Sequence, residues 1–345
     1  MTKQNLIKIV SLAILVASTT VFQGCKKSDD STTTSTGDWV RGGVLSGTDR
    51  SNAVAFEING LGYLGTGFDG TTRLKDFWQY DPATNGWSQV ADFGGAARSE
   101  AIGFSVLGKG YIGLGTDGIG GLFKDFYEYD PSTNVWTAKS DFGTTSPAQA
   151  HPVTGRYGAV AFAIGNYGYV GTGYDVTTKN DFFKYDPSAD IWIPIVSFAG
   201  EKRMSAIAFV AAGNAYVGTG TYNGVYQKDF YQFNPTTGLW TRMQGLENGY
   251  DLKRYGAAAF SINDKGYIST GTYTSALKNT WEFTPPTSAD GIGSWTQKGD
   301  FEGVARTGAV GLTIGNRGYV LTGKNGNSRY GDMWELKPNA TQVIQ

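Results

Sequence analysis

Short apolar runs alternate with glycine- and proline-containing turns along most of the chain, and the pattern recurs about every 50 residues. Each unit has a run of small apolar residues, then a second apolar run that ends in glycine, then an aromatic run that ends in a proline turn. Residues 75–87 show the last part of a unit, in which a tryptophan after the turn begins a further run. Short runs of β-forming residues between such turns predict strands. Each unit therefore predicts four antiparallel strands.

Single residues mark corresponding positions of the units. A lone arginine opens each unit, at Arg50, Arg98, Arg156, Arg203, Arg254 and Arg306. An acid or an amide begins each predicted third strand, at Asp76, Asp125, Asp181, Asp229, Asn279 and Asp332. Successive arginines are 48, 58, 47, 51 and 52 residues apart. Self-similarity with a period of this length indicates a repeat protein in which each unit is one structural module.

Four-stranded units of this length, with a glycine after the second strand and a Tyr-Asp-Pro turn before the fourth, resemble the kelch repeat of β-propellers. The resemblance covers residues 39–338. It implies an all-β fold, a six-bladed kelch-type β-propeller formed by residues 38–345. The sixth unit ends at Pro338 without a tryptophan, whereas Trp39 precedes the first unit. We therefore expect an N-terminal strand around Trp39 to complete the last blade and close the ring.

The first 37 residues differ from the repeats. Lysines before an apolar run predict an export signal at residues 1–24. The segment ending in Cys25 resembles the lipobox of bacterial lipoproteins, in which this cysteine is lipidated, and the stretch after it is similar to surface-export tags of Bacteroidota lipoproteins. Residues 25–37 predict a flexible tether. We expect an exported outer-membrane lipoprotein, facing the periplasm or the cell surface, that touches the membrane only through its anchor; an ordinary signal peptide or an N-terminal membrane anchor is the alternative.

Composition narrows the possible chemistry. Fifty glycines, 14% aromatic residues and 17% charged residues suit a protein of many short strands and tight turns. A net charge of −1 without a basic run predicts no nucleic-acid partner. The chain has one cysteine and one histidine, His151, so a site with several such ligands cannot form, and we expect neither a metal nor a cofactor. This removes copper chemistry of the kind found in galactose oxidase, whose propeller is of the same type.

In a propeller, the turns before the first strands and the loops after the second strands lie on one face. The six arginines would share this face with aromatic residues of those loops, which are Phe68, Tyr174, Tyr222, Tyr226, Tyr273 and Tyr330. Guanidinium groups pair with carboxylates, and exposed aromatic rings suit sugar faces. We expect a glycan, an acidic ligand or a protein partner at this arginine-rich face.

A structural interpretation of the arginines is the alternative. One arginine and one aspartate per unit on the same face predict a ring of ion pairs. Asn279 replaces the acid in the fifth unit, so the arginine that faces it would lack its carboxylate. On the same face, residues 144–153 lengthen one loop by about ten residues. Long loops on rigid scaffolds often bind ligands, although a neutral insertion is the other reading.

Three functions remain open from the sequence. The first is a non-enzymatic, lipid-anchored binding or scaffold protein. The second is a metal-independent acidic-sugar mutarotase or epimerase similar to N-acetylneuraminate epimerase, for which Glu201, Arg203, Glu247 and Glu302 are candidate catalytic residues. The third is a structural subunit of an outer-membrane assembly. Fold alone does not choose among these functions.

Overall fold

A computed structural model of the protein describes residues 34–145, 153–245, 253–288 and 291–343. This part of the chain forms strands and turns, and no helix in it is long and apolar enough to cross a membrane. Six four-stranded antiparallel sheets surround a central channel as the blades of a propeller. The predicted all-β, six-bladed β-propeller is confirmed.

The blades follow one another along the chain, and in the first five the strands pair in sequence order. The first blade contains β2 (Val54–Ile58), β3 (Leu61–Gly65), β4 (Phe77–Asp81) and β5 (Gly86–Val90). The second contains β6 (Ile102–Val106), β7 (Lys109–Gly113), β8 (Phe126–Asp130) and β9 (Val135–Lys139). The third contains β10 (Val160–Ile164), β11 (Tyr167–Gly171), β12 (Phe182–Asp186) and β13 (Ile191–Ile195).

The remaining blades repeat this plan with added ribbons. The fourth contains β14 (Ile207–Ala211), β15 (Asn214–Gly218), β18 (Phe230–Asn234) and β19 (Leu239–Arg242), and its loop carries the ribbon β16 (Thr221–Tyr222) and β17 (Val225–Tyr226). The fifth contains β20 (Ala258–Ile262), β21 (Lys265–Ser269), β22 (Thr280–Thr284) and β23 (Ser294–Lys298). The sixth contains β24 (Val310–Ile314), β25 (Arg317–Leu321), β28 (Met333–Val343) and β1 (Thr34–Arg41), with the ribbon β26 (Lys324–Asn325) and β27 (Ser328–Arg329).

The innermost strands place small residues on the channel and large residues between blades. Ala55 and Gly103 line the channel, whereas the side chain of Phe56 is buried against the second blade. A Cβ atom on Gly110 of that blade would lie only 2.2 Å from the ring of Phe56. Glycine at this position therefore lets adjacent blades approach, and the apolar core consists of clusters formed between neighbouring blades.

The two chain ends close the ring. β1 pairs with β28 in the sixth blade, where Trp39 lies opposite Leu336. Trp39 is 3% exposed and donates its indole N–H to the carbonyl of Gly299 at 3.3 Å. The predicted closure is confirmed. β1 is longer than expected, because residues 34–37, assigned to the tether from the sequence, belong to the strand, and its partner β28 continues past Pro338.

Backbone hydrogen bonds also join each blade to the next. The glycine after each second strand donates its N–H to the carbonyl of the following unit's arginine, over 2.7 or 2.8 Å, and Gly323 completes the circle by donating to Arg50. These glycines have positive φ angles, as in Gly67 at +97°, where a Cβ atom would lie 2.9 Å from the carbonyl oxygen of Ser51. The repeated glycine is therefore a backbone requirement of the ring. We call the face that carries these bonds the arginine side.

Candidate functional site

The six arginines that open the units, the arginine ring, are buried, with exposed fractions of 0% or 1%. Five of them bind the aspartate of their own blade. The pairs are Arg50–Asp76 (2.6 Å), Arg98–Asp125 (2.6 Å), Arg156–Asp181 (2.5 Å), Arg203–Asp229 (2.7 Å) and Arg306–Asp332 (2.5 Å). Burial disfavours ionisation of Asp76, but hydrogen bonds from Arg50 and Trp78 outweigh it and lower the pKa of this carboxyl.

Each of these guanidinium groups also donates to the carbonyl at the end of the second strand, as Arg50 does to Thr66 at 3.0 Å. One side chain thereby ties together the starts of the first and third strands and the end of the second. Such a buried guanidinium has no face left for a ligand. This corrects the expectation that the six arginines bind a ligand directly, and it agrees with the alternative interpretation as structural ion pairs.

The arginine beside Asn279 is Arg254, in the same blade. Its guanidinium donates to the backbone carbonyls of Thr270 at 2.9 Å and of Asn279 at 3.3 Å, and the side chain is fully buried. The exchange of aspartate for asparagine therefore does not expose this guanidinium. Arg254 takes the same structural position as the other five arginines.

Two residues after each arginine, the chain forms the rim of the channel on the arginine side. The members of this mouth ring are Asn52, Glu100, Gly158, Ser205, Gly256 and Gly308. All six have φ angles between 52° and 63°, and each donates its backbone N–H to the carbonyl of the preceding member over 2.7–3.2 Å. The six hydrogen bonds form a closed circle. The backbone N–H groups of the mouth are thus used within the ring, and any donor or charge that a ligand meets there must come from a side chain.

Glu100 is the charged member of the mouth ring. Burial raises the pKa of its carboxyl, against the opposing positive charges of Arg73 and Lys324. Burial also raises the pKa values of Tyr157 and Tyr255, and the negative charge of Glu100 adds to both shifts. Both phenol groups therefore lie within electrostatic reach of Glu100. The carboxyl at the mouth thus has two cations and two tyrosines within electrostatic reach.

Half-buried tyrosines extend from the mouth across the third, fourth and fifth blades. The tyrosine arc consists of Tyr157, Tyr174, Tyr226, Tyr255 and Tyr273. Ring centroids are 5.5 Å apart for Tyr157 and Tyr174, 5.9 Å for Tyr226 and Tyr255, and 5.0 Å for Tyr226 and Tyr273. Rings with an apolar face and a polar tip at such spacing form two amphipathic patches, one of Tyr157 and Tyr174 and one of Tyr226, Tyr255 and Tyr273.

The arc ends in a cleft of about 530 Å³ between the fourth and fifth blades. Tyr226, Gln227, Lys228, Lys253 and Tyr273 line it, and the ammonium of Lys253 lies 5.6 Å from the ring centre of Tyr273. A cleft of this size with two rings and two ammonium groups can take a polar ring-shaped ligand.

The structure brings some of the expected aromatic residues together and leaves others apart. Tyr174 and Tyr273 belong to the arc, and Tyr222 lies on the ribbon of β16 and β17 beside the cleft. The ring of Phe68 already contacts guanidinium groups, with Arg73 at 4.1 Å and Arg329 at 5.2 Å from its centre.

Two of the acidic residues expected as catalytic bases, Glu201 and Glu302, are not among the residues that line the mouth. Glu201 is exposed in the loop before Arg203, and Glu302 is exposed and accepts a hydrogen bond from Gln342 at 2.9 Å. The structure therefore gives no support to a catalytic role for Glu201, Arg203 or Glu302. Glu247, His151, Cys25 and residues 146–152 of the long loop lie outside the described residues. Among the described residues, no group of three His, Cys, Asp or Glu side chains is placed to hold a metal ion.

The residues that sequence reasoning missed are Glu100, Tyr157 and Tyr255. They occupy the two positions directly after the unit arginines, where the other units have small residues, serine, asparagine, threonine or methionine. An alignment of the units on their arginines contains this signal. These positions form a site only in the assembled ring, which brings them together at one channel mouth.

Comparison with known proteins agrees with this architecture. A protein-family model described as "Kelch motif" matches residues 67–94. The first blade carries a kelch motif. Among solved structures, one titled "Structure of YjhT" is similar, with 16% identity, a TM-score of 0.70, and coverage of 87% of this chain and 99% of that chain. Comparison with curated proteins gives no match.

At this identity, the similarity to YjhT describes the fold alone. The kelch-type propeller is a rigid ring with loops on two faces, which suits a binding or scaffold role. Which ligand or partner it takes must be argued from its own side chains.

Proposed function

We propose that this protein is a binding protein that holds a glycan on its arginine side, along the tyrosine arc and at the channel mouth. The observation that carries the proposal is the arc itself. Five half-buried tyrosines from three blades form two patches on the side of one channel mouth, and one of these patches reaches a cleft of about 530 Å³. Rings of this kind pack on the apolar faces of sugars, while their hydroxyls bond to sugar hydroxyls.

The charges near the arc are compatible with an acidic or a neutral glycan. Lys228, Arg242 and Lys253 line the cleft together with Asp229, which is paired with Arg203, and Glu100 lies at the mouth. The cleft is therefore rich in cations, whereas the mouth ring has a single carboxyl. A glycan that covers both would meet ammonium groups at one end and a carboxyl at the other.

A printed glycan array followed by calorimetry tests the proposal. Tyr226→Ala and Tyr273→Ala are expected to weaken binding about tenfold each, since a ring platform contributes on the order of 1 kcal/mol. Tyr167→Ala is the matched control, because Tyr167 is also half-buried but begins β11 at the other end of its blade. Wild-type affinity in both arc variants would overturn the proposal.

A second candidate function is a metal-independent sugar mutarotase or epimerase. Glu100 favours it, because the raised pKa of this carboxyl, with cations and tyrosines within electrostatic reach, makes it a better proton acceptor than an ordinary glutamate. Mutarotation of N-acetylneuraminate and glucuronate followed by NMR tests this function, with Glu100→Gln as the inactive variant. No acceleration over buffer by the wild type would remove it.

For the location, we propose export and lipid anchoring through Cys25, supported by the signal-like residues 1–24 and the lipobox-like segment before this cysteine. Expression in a bacterium with an alkyne-labelled fatty acid is expected to label the wild type and not Cys25→Ser. Labelling of both proteins, or of neither, would contradict lipidation at this residue.

A further inference from the structure

The fold does not require a glutamate at position 100. Its φ angle of 56° lies in the left-handed region, which glycine adopts freely and side-chain-bearing residues adopt at a loss of stability. Three of the other five blades have glycine at the same place. A half-buried carboxyl without a hydrogen bond is a second loss of stability. A residue that opposes stability in two ways at a channel mouth indicates a functional role.

The carboxyl oxygens of Glu100 are also available to accept hydrogen bonds from a ligand. Within the described part of the chain, no hydrogen bond or ion pair holds it, although Arg73, Lys324, Tyr157 and Tyr255 lie within electrostatic reach. Arg73 is engaged elsewhere, donating to the hydroxyl of Ser99 at 3.2 Å and lying over the ring of Phe68. The backbone groups of the mouth ring bond to one another. Glu100 is therefore the member of the mouth ring with a charged acceptor free for a ligand.

An ionised carboxylate accepts hydrogen bonds and donates none. A ligand group beside Glu100 must therefore bring donors, as the hydroxyls of a neutral sugar or the amine of an amino sugar do. A ligand carboxylate at the same place would set two like charges together. We propose that Glu100 makes the channel mouth selective for sugars without an acidic group. This inference rests on the proposed glycan binding and names which sugars enter the mouth.

The proposed selectivity depends on the charge of Glu100, so it should change with pH in a direction that follows from the pKa of this carboxyl. The pKa of this carboxyl is raised, so the ionised fraction grows as pH rises through that raised value. Rejection of acidic sugars should strengthen over the same interval and fade below it. The pKa values of Tyr157 and Tyr255 are raised, so both phenols stay neutral throughout this interval. Glu100 is therefore the group that titrates.

The experiment is a printed array of matched pairs, such as β-glucosides with β-glucuronides and lactose with its sialylated form, read at several pH values with the full chain. The wild type is expected to prefer the neutral member about tenfold near neutral pH. Glu100→Gln should bring this ratio close to one and make it independent of pH. Glu57→Gln is the matched control, because Glu57 lies on the rim of the opposite channel mouth, and it should keep the wild-type ratio.

The outcomes separate the two proposals. Wild-type preference that persists in Glu100→Gln, or a wild type that prefers acidic glycans, overturns the selectivity of Glu100 and leaves glycan binding standing. A loss of preference in Glu57→Gln alone would place the ligand at the other mouth and also overturns it. An array on which no glycan binds removes the proposed function, and this inference with it.

Discussion

The arginine ring and the mouth ring lie two residues apart in every blade, and they differ in nearly every other respect. The arginine ring has the same side chain in all six blades, fully or almost fully buried and bonded within its own blade. The mouth ring has the same backbone conformation in all six blades but four different residue types. The repeated arginine side chains therefore belong to the structural framework of the blades, which we call the frame. The mouth ring repeats only its backbone, and its side chains differ from blade to blade, as those of a recognition surface would.

Removing β1 has the largest expected effect, because both rings depend on a closed propeller. Deletion of residues 34–41 leaves β28 with an unpaired edge and removes the buried Trp39, whose loss alone costs about 3–5 kcal/mol. We expect an unfolded or self-associating protein in circular dichroism and size-exclusion chromatography. Deletion of residues 1–33 is the control and should melt as the wild type does. A monomer with an unchanged cooperative melt after loss of β1 would contradict the closure.

The second-largest effect is expected from replacing one arginine of the arginine ring. Arg203→Met leaves Asp229, whose side chain is 15% exposed, without its partner, and should destabilise the protein by about 3–5 kcal/mol in chemical unfolding. Adding Asp229→Leu should recover part of the loss, since the unpaired carboxylate is then gone. If Arg203→Met instead lost glycan binding with stability intact, the arginine ring would belong to the binding site and the contrast between the rings would fail.

Replacing Glu100 in the mouth ring should instead increase the stability of the protein. Glu100→Gln is expected to raise the free energy of unfolding by about 1 kcal/mol at pH values where the carboxyl of Glu100 is ionised, because a half-buried charge without a hydrogen bond is removed. The pKa of Glu100 is higher in the folded than in the unfolded state, so this gain grows with pH through that interval and vanishes below the ordinary pKa of glutamate. Thermal melts at several pH values measure it. A destabilised Glu100→Gln would mean that Glu100 belongs to the frame.

The smallest expected effect concerns the frame itself. The hydroxyl of Thr172 is buried and has no hydrogen-bond partner among the described residues, and the second blade has the apolar Leu114 at the corresponding position. Thr172→Val should therefore be neutral or stabilise the protein by up to about 1 kcal/mol in chemical unfolding. A loss above 1 kcal/mol would show that this hydroxyl has a partner.

The sequence was sufficient to predict the six-bladed ring and its closure by an N-terminal strand. The period, the tryptophan turn and the isolated Trp39 are local patterns, and together they allow one arrangement of strands. The early start of β1 escaped prediction because residues 34–37 contain no apolar side chain. Their pairing with residues 341–343 depends on backbone hydrogen bonds that no side-chain pattern reports. The Arg–Asp pairs were also foreseeable, since their spacing repeats in five units.

The candidate site was harder to predict. Tyr174 and Tyr273 were named from their loops, but the contact of Tyr226 with both Tyr255 and Tyr273 depends on how neighbouring blades are placed. Glu100 looked like one acid among many, because nothing local shows that its backbone enters a left-handed conformation at a channel rim. A pattern within one unit predicts a blade, whereas a site made of one residue from each blade appears only when the blades are assembled.

The hydrogen-bonded circle of the mouth ring has a consequence for how such a protein can change. Backbone groups alone form the circle, and glycine, asparagine, serine and glutamate all fit it. A mutation at a position that already bears a side chain, or at Gly158, therefore alters the chemistry of the pore entrance without rebuilding a loop. A Cβ atom on Gly158 would lie 3.2 Å from the hydroxyl oxygen of Ser205, whereas one on Gly308 would lie 2.3 Å from the side-chain oxygen of Asn52. The entrance can thus change one residue at a time at four of its six positions.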